Sequence, residues 1–86
     1  MDFGKAIEAL KKGYKVSRRG WNGKNMFLFL AKGSDLNRYG KNFPYSVDMS
    51  SCVDSICMKT AQNTIVVGWL ASQTDMLAED WKLLIE

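Results

Sequence analysis

The chain contains no histidine. The commonest general acid–base side chain is therefore missing. With only two cysteines, Cys52 and Cys57, a tetrahedral zinc site cannot be completed within one chain. A disulfide between cysteines five positions apart needs a sharp bend, so free thiols in a reducing compartment are expected. No G-x-S-x-G elbow, Walker motif or G-x-G-x-x-G fingerprint occurs. No apolar run approaches the roughly 20 residues of a membrane helix. The opening MDFGKAIEAL lacks the pattern of a signal peptide, and a cytoplasmic protein without membrane contact is the expectation. The lone proline is Pro44, and internal repeats and low-complexity tracts are absent. Neither a cofactor, a metal nor a catalytic residue is called for.

Eighty-six residues form a single domain, 1–86. A chain this short buries only about 60–65% of its unfolded surface, so its core is marginal unless something adds to it. The net charge of +3 is unevenly spread: residues 1–41 carry ten Lys/Arg against three Asp/Glu, and residues 42–86 carry two against six. The first half is the half that would meet an anion, although a solvated basic face is the plainer alternative.

In chain order, Asp2 to Lys12 reads as an amphipathic helix. Phe3, Ala6, Ile7 and Leu10 fall on one stripe. Asp2 suits the N-cap, Lys11 and Lys12 the C-terminal turn, and Gly13 the position after it. Tyr14 to Arg18 alternates as a strand, and Asn22-Gly23 predicts a hairpin turn into Met26 to Ala31. That second arm is apolar on both faces: Met26, Leu28 and Leu30 on one, Phe27, Phe29 and Ala31 on the other. Such a strand must be covered twice, either inside the fold or by another subunit. Lys32 to Ser51 is a long segment of weak periodicity, readable as a lid or as a packed surface excursion. Ser55 to Ala61 and Thr64 to Leu70 predict a second hairpin turning at Gln62-Asn63.

The stretch WLASQTDMLAEDW, Trp69 to Trp81, reads as strand end, turn and short helix, followed by a last strand to Ile85. Ser72 and Asp75 fit a capping box. Met76, Leu77 and Trp81 are expected to pack beneath the turn. The predicted fold is α+β: a small, mainly antiparallel sheet with an N-terminal helix and a short C-terminal helix, assembled as a homo-oligomer.

A binding site is readable from residue types. Trp21 lies beside a tight turn with Arg18, Arg19 and Lys24 nearby. Aromatic rings stack on nucleotide bases and arginines pair with phosphates. Lys59 is a lone cation within a neutral strand, and either a solvated side chain or a phosphate ligand. Trp69 opens the opposite helix start. Asn22, Ser72, Gln73, Thr74 and Asp75 offer hydrogen bonds to ribose hydroxyls and a base edge. Each tryptophan taken singly also suits a core. Asp75, Glu79 and Asp80 are three neighbouring carboxylates, either a solvated acidic face or the residue types an enzyme would use. The candidate ligand-binding set is Arg18, Trp21, Asn22, Lys24, Lys59, Trp69, Ser72, Gln73, Thr74 and Asp75. Alternatives to a binding module are an enzyme degrading a nucleotide through carboxylates, a small basic nucleic-acid-binding module, and a purely structural oligomer.

The motifs DFGKAIEALKKG, VSRRGWNGK, MFLFL, MKTA and WLASQTDMLAEDW, in this order, resemble a small phage and prophage family. Its members are Thoeris anti-defence proteins of the second type. The resemblance covers residues 2–31 and 56–83, and R-x-G-W-N-G-K with S-Q-T-D-M-L-A-E-D-W are its most specific parts. It implies a sponge that binds a cyclic ADP-ribose isomer, glycocyclic ADP-ribose, and holds it without cleavage. It also implies a homotetramer with pockets between protomers, working in the bacterial host cell. For some members it implies binding of cyclic oligonucleotides, such as cyclic dinucleotides, at a separate site; this is left open for the present chain. Nucleic acid is not an expected partner. Asp75 is assigned to capping or to ribose hydroxyls, since a carboxylate repels phosphate.

Overall fold

The amphipathic stripe of the N-terminal segment produces helix α1, Phe3–Lys11. Asp2 caps it by accepting the Lys5 backbone N–H at 2.8 Å. Gly13 ends it at φ +92°, a conformation that costs glycine little. In this computed structural model, residues 1–39 and 52–84 are described. After α1 come β1 (Lys15–Arg18), β2 (Phe27–Ala31), α2 (Gly33–Tyr39), β3 (Ser55–Lys59), β4 (Ile65–Val67), α3 (Gln73–Leu77) and β5 (Trp81–Leu84).

The five strands form one antiparallel sheet in the order β4-β3-β2-β1-β5. The α+β architecture expected from the sequence is present. Cross-strand partners share a face. One row therefore runs Val66, Met58, Leu28, Val16 and Leu83. This face meets α1, and the core is built there from Ala6, Ala9, Leu10, Val16, Leu28 and Trp81. The opposite face carries Phe27, Phe29, Cys57, Val67, Ser17 and Lys82. Both faces of β2 are apolar, as its sequence indicates, and α1 takes the Leu28 face. On the other, Phe29, Ala31, Cys57, Ile65 and Val67 border a cavity of about 450 Å³ against Leu36 of α2. Cys52 and Cys57 both carry free thiols.

Three local expectations are corrected. The β1–β2 hairpin exists, but positive φ falls on Asn25 (62°) rather than on Asn22 or Gly23. The connection is longer than the Asn-Gly signal predicts because Arg18, Arg19 and Gly20 are held by Asp75 and Asp80 before the chain turns back. The strand expected to reach Leu70 stops at Val67, where Gly68 takes φ +87°. Both Gly68 and Trp69 then donate N–H to the Ile56 carbonyl, at 3.1 and 2.7 Å. Finally, Met76 and Leu77 do not pack beneath the turn but are exposed; Trp81 is buried as expected, and Ala78 joins it against the core. At the β3–β4 turn Asn63 adopts φ 65° as anticipated.

The long segment after β2 begins as α2. Gly33 donates its N–H to Asp54 Oδ1 at 2.8 Å, and Lys32 pairs with the same carboxylate at 3.7 Å. Residues 40–51, most of the expected lid, lie outside the described residues, as does Ile85 of the last strand. No helix among the described residues is long and apolar enough to cross a membrane.

Candidate functional site

Strand β1 ends in Arg18, and the chain turns at once, with Trp21 N–H donating to the Arg18 carbonyl at 3.3 Å. Across the fold, Ser72 and Asp75 form the predicted capping box. Asp75 N–H donates to Ser72 Oγ at 3.1 Å, and Ser72 N–H and Oγ donate to Asp75 Oδ2 at 3.2 and 2.9 Å. The other Asp75 oxygen turns inward. It accepts Arg18 Nη1 at 2.8 Å and Trp21 Nε1 at 3.4 Å. One carboxylate thereby caps α3 and fastens it to the β1–β2 turn.

Asp80 completes the clamp. Its Oδ1 accepts Arg18 Nε at 2.9 Å and its Oδ2 accepts the Gly20 N–H at 2.8 Å. Its carbonyl accepts the Arg19 N–H at 3.1 Å. The Arg18 and Asp75 side chains are only 15% and 14% exposed. Hydrogen bonds from Arg18 and Gly20 outweigh partial desolvation and hold the Asp80 carboxyl below the usual aspartate range. Burial alone would raise Asp75, but bonds from Arg18, Ser72 and Trp21 bring it below that range as well. The two aspartates in turn push the Arg18 guanidinium further up.

Over this clamp three tryptophans meet edge to face. Trp21 lies 5.4 Å from Trp81 and 6.4 Å from Trp69 between ring centroids, and Trp69 lies 6.3 Å from Trp81. Trp81 is the buried member, and its Nε1 donates to the Asp75 carbonyl at 3.0 Å. Trp21 and Trp69 are half-buried, packed on the core by one side. Such edge-to-face arrangements fix ring orientation, and part of the Trp21 and Trp69 rings stays at the surface.

Of the residues singled out in the sequence, Arg18, Trp21, Trp69, Ser72 and Asp75 come together within one chain. Asn22 and Lys24 are exposed on the adjoining turn, and Gln73 and Thr74 on the first turn of α3. Lys59 lies apart on the other face of the sheet, with its Nζ donating to the Asn25 carbonyl at 3.1 Å. The role of Asp80 was not legible, because it depends on a partner far away in sequence. Equally hidden was a basic groove of about 430 Å³ beside Trp21, on the face away from α1. Its lining includes the cations Lys15, Arg18, Arg19 and Lys82 and, among the described residues, no carboxylate. Among the described residues, no group of acidic and thiol side chains is arranged to hold a metal ion.

Comparison with known proteins agrees with the motif reading. Residues 1–84 match the family described as the Thoeris anti-defense 2-like domain. The chain is similar to Thoeris anti-defense 2 of Bacillus phage SP01, with 47% identity over 85 residues, covering 98% of this chain and 94% of that protein. The chain therefore belongs to the Thoeris anti-defense 2-like family, and its family implies a function against Thoeris defence.

Proposed function

We propose that the protein binds a cyclic ADP-ribose-type immune signal, glycocyclic ADP-ribose, and sequesters it without cleavage. The observation that carries this reading is the Asp75 bridge, which fixes the Trp21 ring against the polar first turn of α3. A base stacks on an aromatic surface held in this way, and the exposed side chains of Asn22, Gln73 and Thr74 lie on the same two elements as hydrogen-bonding groups for ribose and base. Asp75 and Asp80 are engaged by cation and N–H donors that keep them ionised. A general acid needs the opposite, a carboxyl whose pKa is raised toward the working pH. This favours holding the signal over degrading it.

The protein works as a homo-oligomer, a homotetramer in this proposal. The apolar surface of Phe29, Ile65 and Val67, on the sheet face that α1 does not cover, supports self-association. The test is direct. Purified protein is mixed with glycocyclic ADP-ribose, freed of unbound ligand and denatured by heat, and the released material is identified by chromatography and mass. Intact ligand is the expected result. A cleaved product, retained or in the removed fraction, would replace the sponge by a signal-degrading enzyme, and no retained nucleotide with all ligand recovered intact in that fraction would remove both. Native mass measured on the same sample gives the number of subunits.

A further inference from the structure

The cation that the sequence offered most plainly to a phosphate, Arg18, is committed to two carboxylates. The phosphate-binding chemistry of this chain has to be sought elsewhere, and the sheet face away from α1 supplies it. There Ser17 and Lys82 are cross-strand partners on β1 and β5, and both line the basic groove beside Trp21. Arg19 follows at the end of β1. Among the described residues, no carboxylate pairs with Arg19 or Lys82. The Lys15 ammonium stands over the Phe27 ring at 4.9 Å, placing a further positive charge along the same wall.

The second observation is Ser17 itself. It is 4% exposed, and it is the one polar side chain among the buried described residues. Its hydroxyl has no hydrogen-bond partner among the described residues, although it lines the groove. A buried polar group without a partner is costly, and in native proteins it usually marks a missing ligand or water. A hydroxyl at the foot of a groove walled by ammonium and guanidinium groups fits a multiply charged oxyanion. The hydroxyl donates one hydrogen bond, Arg19 presents a planar fork and Lys82 a point charge.

The geometry points to this groove, with Ser17, Arg19 and Lys82, as a binding site for a phosphate or pyrophosphate group. The group belongs either to the ADP-ribose-type signal proposed above or to a separate phosphate-bearing molecule. In the first case the site extends the tryptophan site past Trp21, which borders both, and rests on the sponge reading. In the second it stands independently.

The test uses the full chain and inorganic pyrophosphate as probe, followed by amide chemical-shift mapping and calorimetry at low and moderate salt. Saturable binding is expected, with shifts on β1 and β5 around Ser17 and Lys82, weakening as salt rises. Arg19→Gln, Lys82→Gln and Ser17→Ala are each expected to weaken it about tenfold, the worth of one hydrogen bond to a charged group. Lys11→Gln on α1, on the other face, is the control expected to bind as wild type. The exposed Arg19 and Lys82 variants keep the fold intact, which circular dichroism verifies. Failure of pyrophosphate to saturate, or equal binding by all three groove variants, overturns the site. Glycocyclic ADP-ribose is titrated in parallel. If it binds but shifts only the Trp21 and α3 resonances, the groove is not its phosphate site and the first case fails. If it does not bind while pyrophosphate maps to the groove, the groove stands and the sponge reading falls.

Discussion

Arg18 and Asp80 are 62 residues apart in the chain and 2.9 Å apart in space. The same aspartate receives the Gly20 N–H, so the turn carrying Trp21 is set from the far end of the sequence. Removing the carboxylate leaves Arg18 with Asp75 alone and frees the Gly20 N–H, while the backbone carbonyl at position 80 keeps its bond from Arg19. Asp80→Ala is therefore expected to lower the melting temperature and to speed amide exchange at Gly20 and Trp21. Unchanged exchange at both would show that the turn holds itself.

Acid sensitivity follows from the same clamp. Asp75 and Asp80 have folded pKa values below their unfolded values. They contribute stability that is fully present above the unfolded aspartate value of about 3.9. It is lost as pH falls through their folded values. Chemical denaturation between pH 6 and pH 2 should show stability declining at the acid end, with a shallower decline in Asp80→Asn. Arg18 works in the other direction, its raised pKa lying far above any working pH, so it adds no slope here. Identical profiles for variant and wild type would remove Asp80 from the account.

Binding should be most sensitive at Trp21 and Trp69. Loss of a stacking ring is worth about 1–3 kcal/mol per base. Trp21→Ala and Trp69→Ala are each expected to weaken glycocyclic ADP-ribose by that amount in calorimetry. Near-ultraviolet circular dichroism is needed beside it, because both rings also pack on Trp81. A variant that keeps its fold and its affinity places the ligand elsewhere.

The core offers a calibration. Leu10 and Leu28 are buried where α1 meets the sheet. Leu28→Ala should cost about 2–5 kcal/mol of stability in urea unfolding, the range for large-to-small changes in a packed core. In a domain this small such a loss is a large share of the total.

Helix α2 gives a local prediction. A methyl group on Gly33 would run into the Cys52 carbonyl, which is backbone and cannot swing aside. Gly33→Ala is expected to loosen the start of α2 and to lengthen the Gly33–Asp54 hydrogen bond. Faster amide exchange at Gly33 and its neighbours would register it, and retained protection would show that the chain accommodates the methyl.

What could be read in the sequence was local. The stripe Phe3, Ala6, Ile7 and Leu10 announced α1, the Ser72–Asp75 spacing announced the capping box, and Asn63 announced its turn. Each depends on residues a few positions apart. Asn22-Gly23 misdirected because its turn is governed by Asp80, which no local pattern connects to it. Arg18 read as a phosphate ligand for the same reason, as its two carboxylates arrive from α3 and from the residue before β5. In the alternating strand Ser17 shares the face of Lys15, and nothing local links it to β5. Only the placement of β5 beside β1 puts Lys82 next to it.

The strand order also dictates when the fold can close. β1 emerges early in synthesis, yet its neighbours are β2 and β5, and Val16 pairs with both Leu28 and Leu83. The β2–β1 hairpin closes a short loop, whereas Arg18 opposite Trp81 closes one spanning most of the chain. Contacts of such long sequence separation form late. A nascent chain thus holds α1 over an incomplete floor until β5 leaves the ribosome. The turn bearing Trp21 cannot be clamped before Asp80 is made, so its fixed form waits for the segment that carries β5.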